Sequence, residues 1–200
     1  SKGNLGGHQY TAKIDLLPFG NFKSDGDYVG NDIEREKKPK LLVGVAYDYN
    51  NDSVKTRGNT GNYMETTTGF FKTDIKSLFV NSHFKYMGLS FMGEYASRTS
   101  DDAISKNSDG SLTGDIVNDG SAINFQIGYV TPSNVAITTR FTNIKFKDNI
   151  YPKNDTEQLT VGLSKYFVKH KLKIQSDLTS EKSMNNKNKI FYRLQFEIHF

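Results

Sequence analysis

The chain has 200 residues, no cysteine, 36% apolar residues and a formal charge of +4 with both signs mixed throughout. Mean hydropathy is −0.60, and no run nears the ~18 apolar residues that a spanning helix needs. These figures exclude helical membrane spans, disulfides and thiolate metal sites, while leaving half-apolar membrane strands open.

Period-two alternation recurs along the chain and helical periodicity does not. The first predicted strand, His8 to Leu17, sets Tyr10, Ala12, Ile14 and Leu16 against Thr11, Lys13 and Asp15. Lys40 to Tyr49 follows, with Leu41, Val43, Val45, Tyr47 and Tyr49 on one face. In Thr73 to Lys85, Leu78, Val80 and Phe84 oppose Asn81 and His83. Gly88 to Ala96 puts Leu89, Phe91 and Tyr95 against Ser90, Met92 and Glu94. Ala122 to Val130 puts Ile123, Phe125, Ile127 and Tyr129 against Asn124 and Gln126. Val135 to Phe146 puts Val135, Ile137 and Phe141 against Thr138 and Arg140. Glu157 to Phe167 sets Leu159, Val161 and Leu163 against Thr160, Gly162 and Ser164. Lys171 to Ser180 sets Leu172, Ile174 and Leu178 against Lys173, Gln175 and Asp177.

The ninth segment, Ile190 to Phe200, has the sharpest alternation. Ile190, Tyr192, Leu194, Phe196, Ile198 and Phe200 share one face; Phe191, Arg193, Gln195, Glu197 and His199 share the other. Successive strand side chains point to opposite faces, so one wall is apolar and one largely polar. In an outer-membrane barrel, lipid covers such an apolar wall, and aromatic girdles mark where lipid meets water. Phe84, Tyr86, Tyr129, Tyr166, Phe167 and Phe200 fall towards one expected rim. Tyr47, Tyr49, Tyr95, Phe141, Phe191 and Tyr192 fall towards the other.

The connections are lopsided. Tyr86–Gly88, Thr131–Asn134 and Val168–His170 are tight, whereas the stretches 50–72 and 98–120 are long and polar. Short turns on one rim and long loops on the other is the arrangement of membrane barrels. Pro18 to Pro39 departs from it, a long connection on the tight-turn side, and reads as a structured periplasmic excursion or a rim feature.

Together these features predict an all-β fold: a transmembrane antiparallel β-barrel, with residues 1–200 a single segment supplying about nine strands of a larger barrel, because bacterial single-chain barrels close with even numbers. The chain opens without a basic-then-apolar leader and without Met, so a processed chain or an internal fragment is expected.

Several segments resemble the C-terminal half of the porin O and P family, often called phosphate-selective porins. They are Tyr10–Phe22 (YTAKIDLLPFGNF), Gly26–Leu41 (GDYVGNDIEREKKPKL), Leu42–Asn50 (LVGVAYDYN), Leu78–Ala96 (LFVNSHFKYMGLSFMGEYA) and Leu159–Gln175 (LTVGLSKYFVKHKLKIQ). The resemblance implies an outer-membrane channel of roughly 16 to 18 strands, an even count as single-chain barrels require, usually trimeric and general or anion-preferring. The chain has about half the length such a barrel needs. The family's selecting basic residues lie partly in the half that is missing, so the resemblance transfers a fold and no phosphate site.

On the polar faces, Lys13, Asp15, Glu94, Arg140, Lys171, Lys173, Arg193 and Glu197 are the candidate pore-lining residues. Their signs roughly balance, which suits a weakly selective channel better than a ring of one sign. Lys171 and Lys173 beside Arg193 form the best candidate for an anion-attracting stripe. The alternative for every one of these residues is a cross-strand charge pair that holds the wall together.

Neither catalysis nor a cofactor is expected. His83, His170 and His199 lie towards the tight-turn rim, His8 starts a strand, and no Gly-x-Ser-x-Gly elbow occurs. Asn107, Asp109 and Gly110 sketch part of a calcium loop, but Ile116 stands where an EF-hand needs Glu. In the loop 50–72, Lys55, Arg57, Phe70 and Phe71 could fold over a pore or meet a partner, with a plain external loop the simpler expectation.

The expected function is passive diffusion of small hydrophilic solutes or anions, phosphate among them, across a Gram-negative outer membrane. Expected partners are outer-membrane lipid, those solutes, and either two further copies or a larger membrane complex. Nucleic acid is not among them, because no basic cluster forms on one element. A structural barrel subunit with a plugged lumen and a soluble β-sandwich or lipocalin-like binder are the competing readings.

Overall fold

The computed structural model describes residues 5–147, 155–169, 171–183 and 186–199. Nine strands form one antiparallel sheet in simple chain order. They are β1 (Gln9–Leu16), β2 (Lys40–Ser53), β3 (Thr73–Tyr86), β4 (Leu89–Ser100), β5 (Gly120–Val130), β6 (Val135–Phe146), β7 (Thr156–Val168), β8 (Leu172–Ser183) and β9 (Asn186–Ile198). The sheet is not closed as a barrel, and β1 and β9 are its two edges. The structure is 69% strand and 3% helix, and among the described residues no helical layer covers either face. Among the described residues no helix is long and apolar enough to cross a membrane, which says nothing about strands.

Register makes the two faces continuous. Ile14, Val45, Val80 and Tyr95 are successive partners on one face, and Tyr95 continues to Ile123. Tyr129, Ile137 and Leu163 continue that face across β5 to β7, and Leu178 meets Tyr192 at the far edge. This apolar face is bare. Ile127 is 53% exposed, Val161 50%, Leu194 54% and Phe196 65%. The opposite, polar face holds Ser77, His83, Lys85, Ser90, Thr160, Ser164, Asp177 and Thr179, all buried. A water-soluble sheet puts its apolar face on the core and its polar face in solvent. Here the distribution is reversed.

Polar side chains on this opposite face satisfy one another across neighbouring strands, the unit by which sheets are stabilised. Thr160 and Thr179 share a hydrogen bond of 2.8 Å. Asn124 donates to Glu94 at 2.8 Å and accepts from Thr142 at 2.9 Å. Gln158 donates to Glu181 at 2.7 Å.

The strands outrun the apolar alternation at the long-loop end. β2 continues past Tyr49 to Ser53, β4 past Ala96 to Ser100, and β5 begins at Gly120. There the backbone ladder persists while the residues turn polar on both faces, so periodicity alone stops short. The tight-turn end is closer to expectation. Met87 (φ 49°) and Gly88 (φ 91°) form a two-residue turn with both residues left-handed, the geometry that suits the twist of a hairpin.

The long connections are folded, not loose. The pairs Lys55–Arg57 with Thr60–Tyr63, Glu65–Thr66 with Gly69–Phe70, and Ile104–Lys106 with Leu112–Ile116 are short hairpins. Met64, Ile75, Ala103 and Val117 join in a buried apolar cluster with Phe71 packed against it. Ile75 shares its face with Ser77 and His83, so this cap folds over the long-loop end of the polar face. The calcium-like stretch is one of its turns. Ser111 donates its amide (2.9 Å) and hydroxyl (2.6 Å) to Asp109, which holds the Asp109 carboxyl below its ordinary range. No cluster of His, Cys, Asp and Glu able to hold a metal occurs among the described residues.

Met64→Ala should destabilise the cap by about 2–5 kcal/mol, the usual cost of emptying a buried methionine site. Hydrogen exchange from Val54 to Phe71 should accelerate while β6 to β8 keep their protection. Uniform acceleration would contradict a cap that is stabilised separately from the sheet.

Candidate functional site on the polar face

The connection between β1 and β2 does not leave the sheet; it folds back onto the polar face at the tight-turn end. Its short 3₁₀ segment, Lys23–Tyr28, contains a kink at Ser24 and Asp25, both left-handed. Phe22, Gly26, Asn31, Asp32 and Glu36 are buried. The connection expected as a structured excursion or rim feature is thus folded, and it packs on the polar face of the sheet.

Asn31 is the central anchor. Its amide nitrogen donates to the Tyr166 hydroxyl of β7 at 2.8 Å. Its oxygen accepts from Thr138 of β6 at 3.3 Å and from Ser90 of β4 at 3.5 Å. Between them Gly128 of β5 leaves the room Asn31 occupies, because a Cβ there would overlap the amide oxygen. Asp32 is the second anchor. Its carboxylate accepts from the Gly88 amide at 2.7 Å and from the Glu36 amide at 3.1 Å. Gly88 is needed twice over: its φ is left-handed, and a Cβ would strike the Arg35 guanidinium and the Val130 carbonyl. Arg35 donates to that carbonyl.

Basic residues of the wall take up the segment's carbonyls. Lys85 Nζ donates to Gly26 O at 2.7 Å and Asn31 O at 3.0 Å. Both ring nitrogens of His83 face carbonyls, Asp27 O at 3.3 Å and Gly30 O at 3.2 Å. Lys169 closes the rim with an ion pair to Glu34 at 2.6 Å. A buried backbone needs partners for its polar groups, and here strand side chains provide them.

Beside the segment lies a cavity of about 450 Å³, bounded by Gly30, Asn31 and inward residues of β5 to β9. Arg140, Lys173 and Glu197 reach it. Lys173 pairs with Glu197 at 2.7 Å, and Arg193 with Asp177 at 2.9 Å. Arg140 lines the cavity without an ion pair among the described residues. Its cross-strand neighbours are Gln126 and Thr160.

The expected pore-lining residues thus separate. Lys13 and Asp15 face the polar side and pair with each other at 2.8 Å. Glu94 bonds Asn124. Lys171 is not on a strand: it lies in the turn before β8, where its amide donates to Val168 O. The anticipated basic stripe therefore dissolves. Register places Lys173 opposite Glu197 and Arg193 opposite Asp177, which neutralises each. Two aromatics assigned to the rims also turn inward: Tyr166 is buried against Asn31, and Phe191 pairs with Thr179 on the polar side. His8 lies beside Tyr10, and His199 contacts Glu197 at 2.9 Å. His170 and Phe200 lie outside the described residues.

Sequence reasoning did not single out Asn31, Asp32 or Glu36. The available signal was a connection of about twenty residues among tight turns, unusual for that rim, and rich in Asp, Glu and Asn. No protein-family model, curated protein or solved structure matches this chain.

Asp32→Ala leaves the Gly88 and Glu36 amides without their acceptor. The segment should loosen by about 1–3 kcal/mol, seen as faster limited proteolysis between Phe22 and Glu36. An unchanged cleavage rate would show that the carboxylate does not hold it.

Proposed function

We propose that this chain forms part of the wall of a β-barrel in a bacterial outer membrane, and that the barrel lets small hydrophilic solutes or anions diffuse passively. One observation supports it above the others: large apolar side chains are exposed on one face from β1 to β9, while serines, threonines, Lys85 and Asp177 are buried on the other. Contiguous exposed apolar surface of this extent calls for a lipid or protein cover. On β9 the outward residues run from Ile190 to Ile198, about 27 Å along the strand at ~3.4 Å per residue. With a tilt of about 40° that spans about 21 Å, close to the apolar band of membrane barrels.

Unpaired strand edges are costly in hydrocarbon, so β1 and β9 need further strands. A nine-strand meander starts and ends on strands of the same direction. Closure through antiparallel pairs alone then takes an odd number of additional strands. A second copy of this segment would instead meet it in parallel at both seams.

With Lys173 and Arg193 held by carboxylates, Arg140 favours a mild preference for anions in the open part of the polar face. The second reading, a structural barrel subunit with a filled lumen, draws support from the segment Phe22–Glu36 and the loop cap, both folded over the inner side. Its partners would be other membrane-complex subunits.

The complete polypeptide in planar lipid bilayers should give ohmic conductance with many open channels. A folded barrel that stays silent would overturn the channel reading, and current restored by deleting residues 22–36 would establish the plugged one. On the lipid side, Leu194→Arg should cost about 2–4 kcal/mol of stability in bilayers if it sits near the midplane. Gln175→Arg, on the polar face, should cost much less; equal costs would contradict the assignment of the faces.

A further inference from the structure

The polar face carries an apolar row at mid-height that is partly exposed. Ala46, Phe79, Ala96, Ala122 and Ile144 are consecutive cross-strand partners from β2 to β6. Phe79 is 43% exposed and Ile144 36%. The row lies at mid-height, between the loop cap over Ile75 and the rim segment over His83. It is therefore the stretch of β3 to β5 that neither inward element covers. A cavity of about 420 Å³ opens on it.

Hydrogen-bonding rows bound it on both sides, each one alternate-residue step away, about 6.8 Å along the strand. Towards the tight-turn end stand Asn81, Glu94, Asn124 and Thr142, all on this cavity. Towards the long-loop end stand Ser77 and Arg98, joined at 3.4 Å. The Asn81 side chain makes no hydrogen bond among the described residues. Glu94 uses one oxygen for Asn124 and keeps the other available.

We propose that this row is a contact track for neutral polyhydroxylated rings, that is, sugars. The inference rests on the channel reading above and names a solute class for it. A sugar ring presents an apolar C–H face and a hydroxyl edge. The face fits the Phe79 ring and the alanine floor, and the edge meets Asn81 and Glu94. Ligand sites combine apolar walls with a few placed polar groups in this way. Lys13, which also lines the cavity, is held by Asp15 at 2.8 Å, so an anion would meet the Glu94 carboxylate without a free cation beside it, and an acyl chain would leave both polar rows unsatisfied. The three alanines keep the floor low enough for a ring to lie flat.

The test uses the complete polypeptide in planar bilayers with cellobiose as the probe. Cellobiose should block the ion current in a saturable way, and Phe79→Ala should raise the half-blocking concentration about tenfold, as loss of one aromatic contact predicts. Glu94→Gln should raise it less, and Leu178→Val on the outward face should leave it unchanged. Phe79→Cys should react with a water-soluble maleimide and be protected by cellobiose. Saturable block that is indifferent to Phe79→Ala, or no block in a conducting channel, would overturn the track. So would a Phe79→Cys that stays unlabelled, since another protein segment would then cover the row. Absence of any conductance would instead count against the channel itself, and labelling with cellobiose protection would still decide the track.

Discussion

The constraint on which the rest depends is the placement of the apolar half of each strand on a face that nothing in the described chain covers. Alternation forces the choice. With a period of two, every strand puts half its side chains on each face, and register holds the apolar halves together from β1 to β9. In water this surface would drive association. In hydrocarbon it is already satisfied, and the polar halves are freed to build an interior. The reversed burial, with serines, threonines and Lys85 buried and Leu159, Leu163, Leu178 and Leu194 exposed, is what the proposed placement in hydrocarbon requires.

The polar face is then organised largely by hydrogen bonds, with one small apolar cluster of Val130, Ala136 and Tyr166 against Ile33 beneath the rim segment among the described residues. Charged residues meet across strands as Lys173 with Glu197 and Arg193 with Asp177. The rim segment is held by amides, carboxylates and carbonyls that find partners on the strands beneath it. A buried polar contact of this kind is expensive to leave incomplete, so the segment's position is specified by the full set: Asn31 above Gly128, Asp32 at the Gly88 turn, and Lys85 under two carbonyls. The loop cap works differently. Met64, Ile75, Ala103 and Val117 form a small apolar core at the long-loop end of the sheet. The two covers leave the Phe79 row bare between them.

The nine strands and the facing of almost every residue were legible in the sequence because alternation is local. Strand ends on the long-loop side were not, since polar residues from Asn50 to Ser53 keep the ladder while losing the pattern. The charge pairs depended on register, which a two-residue difference in turn length would change. Parity placed Lys173 and Arg193 on one face but could not supply their opposite numbers. The rim segment and the cap were illegible for a further reason. Asn31 reaches Tyr166 across 135 residues, and Met64 meets Val117 with no periodic signal between them. Tyr166 and Phe191 show the converse error. Their nearness to strand ends suggested rim aromatics, whereas their parity already put them inside.

The central claim concerns which face meets hydrocarbon, and it can be measured site by site. The chain has no cysteine, so single nitroxide labels can be placed at will in the complete protein embedded in bilayers. Labels at Ile127, Val161 and Leu194 should relax strongly with oxygen and weakly with a water-soluble nickel chelate. Labels at Gln126, Thr160 and Arg193 should do the opposite. The same preference on both faces, or the reverse assignment, would contradict the account.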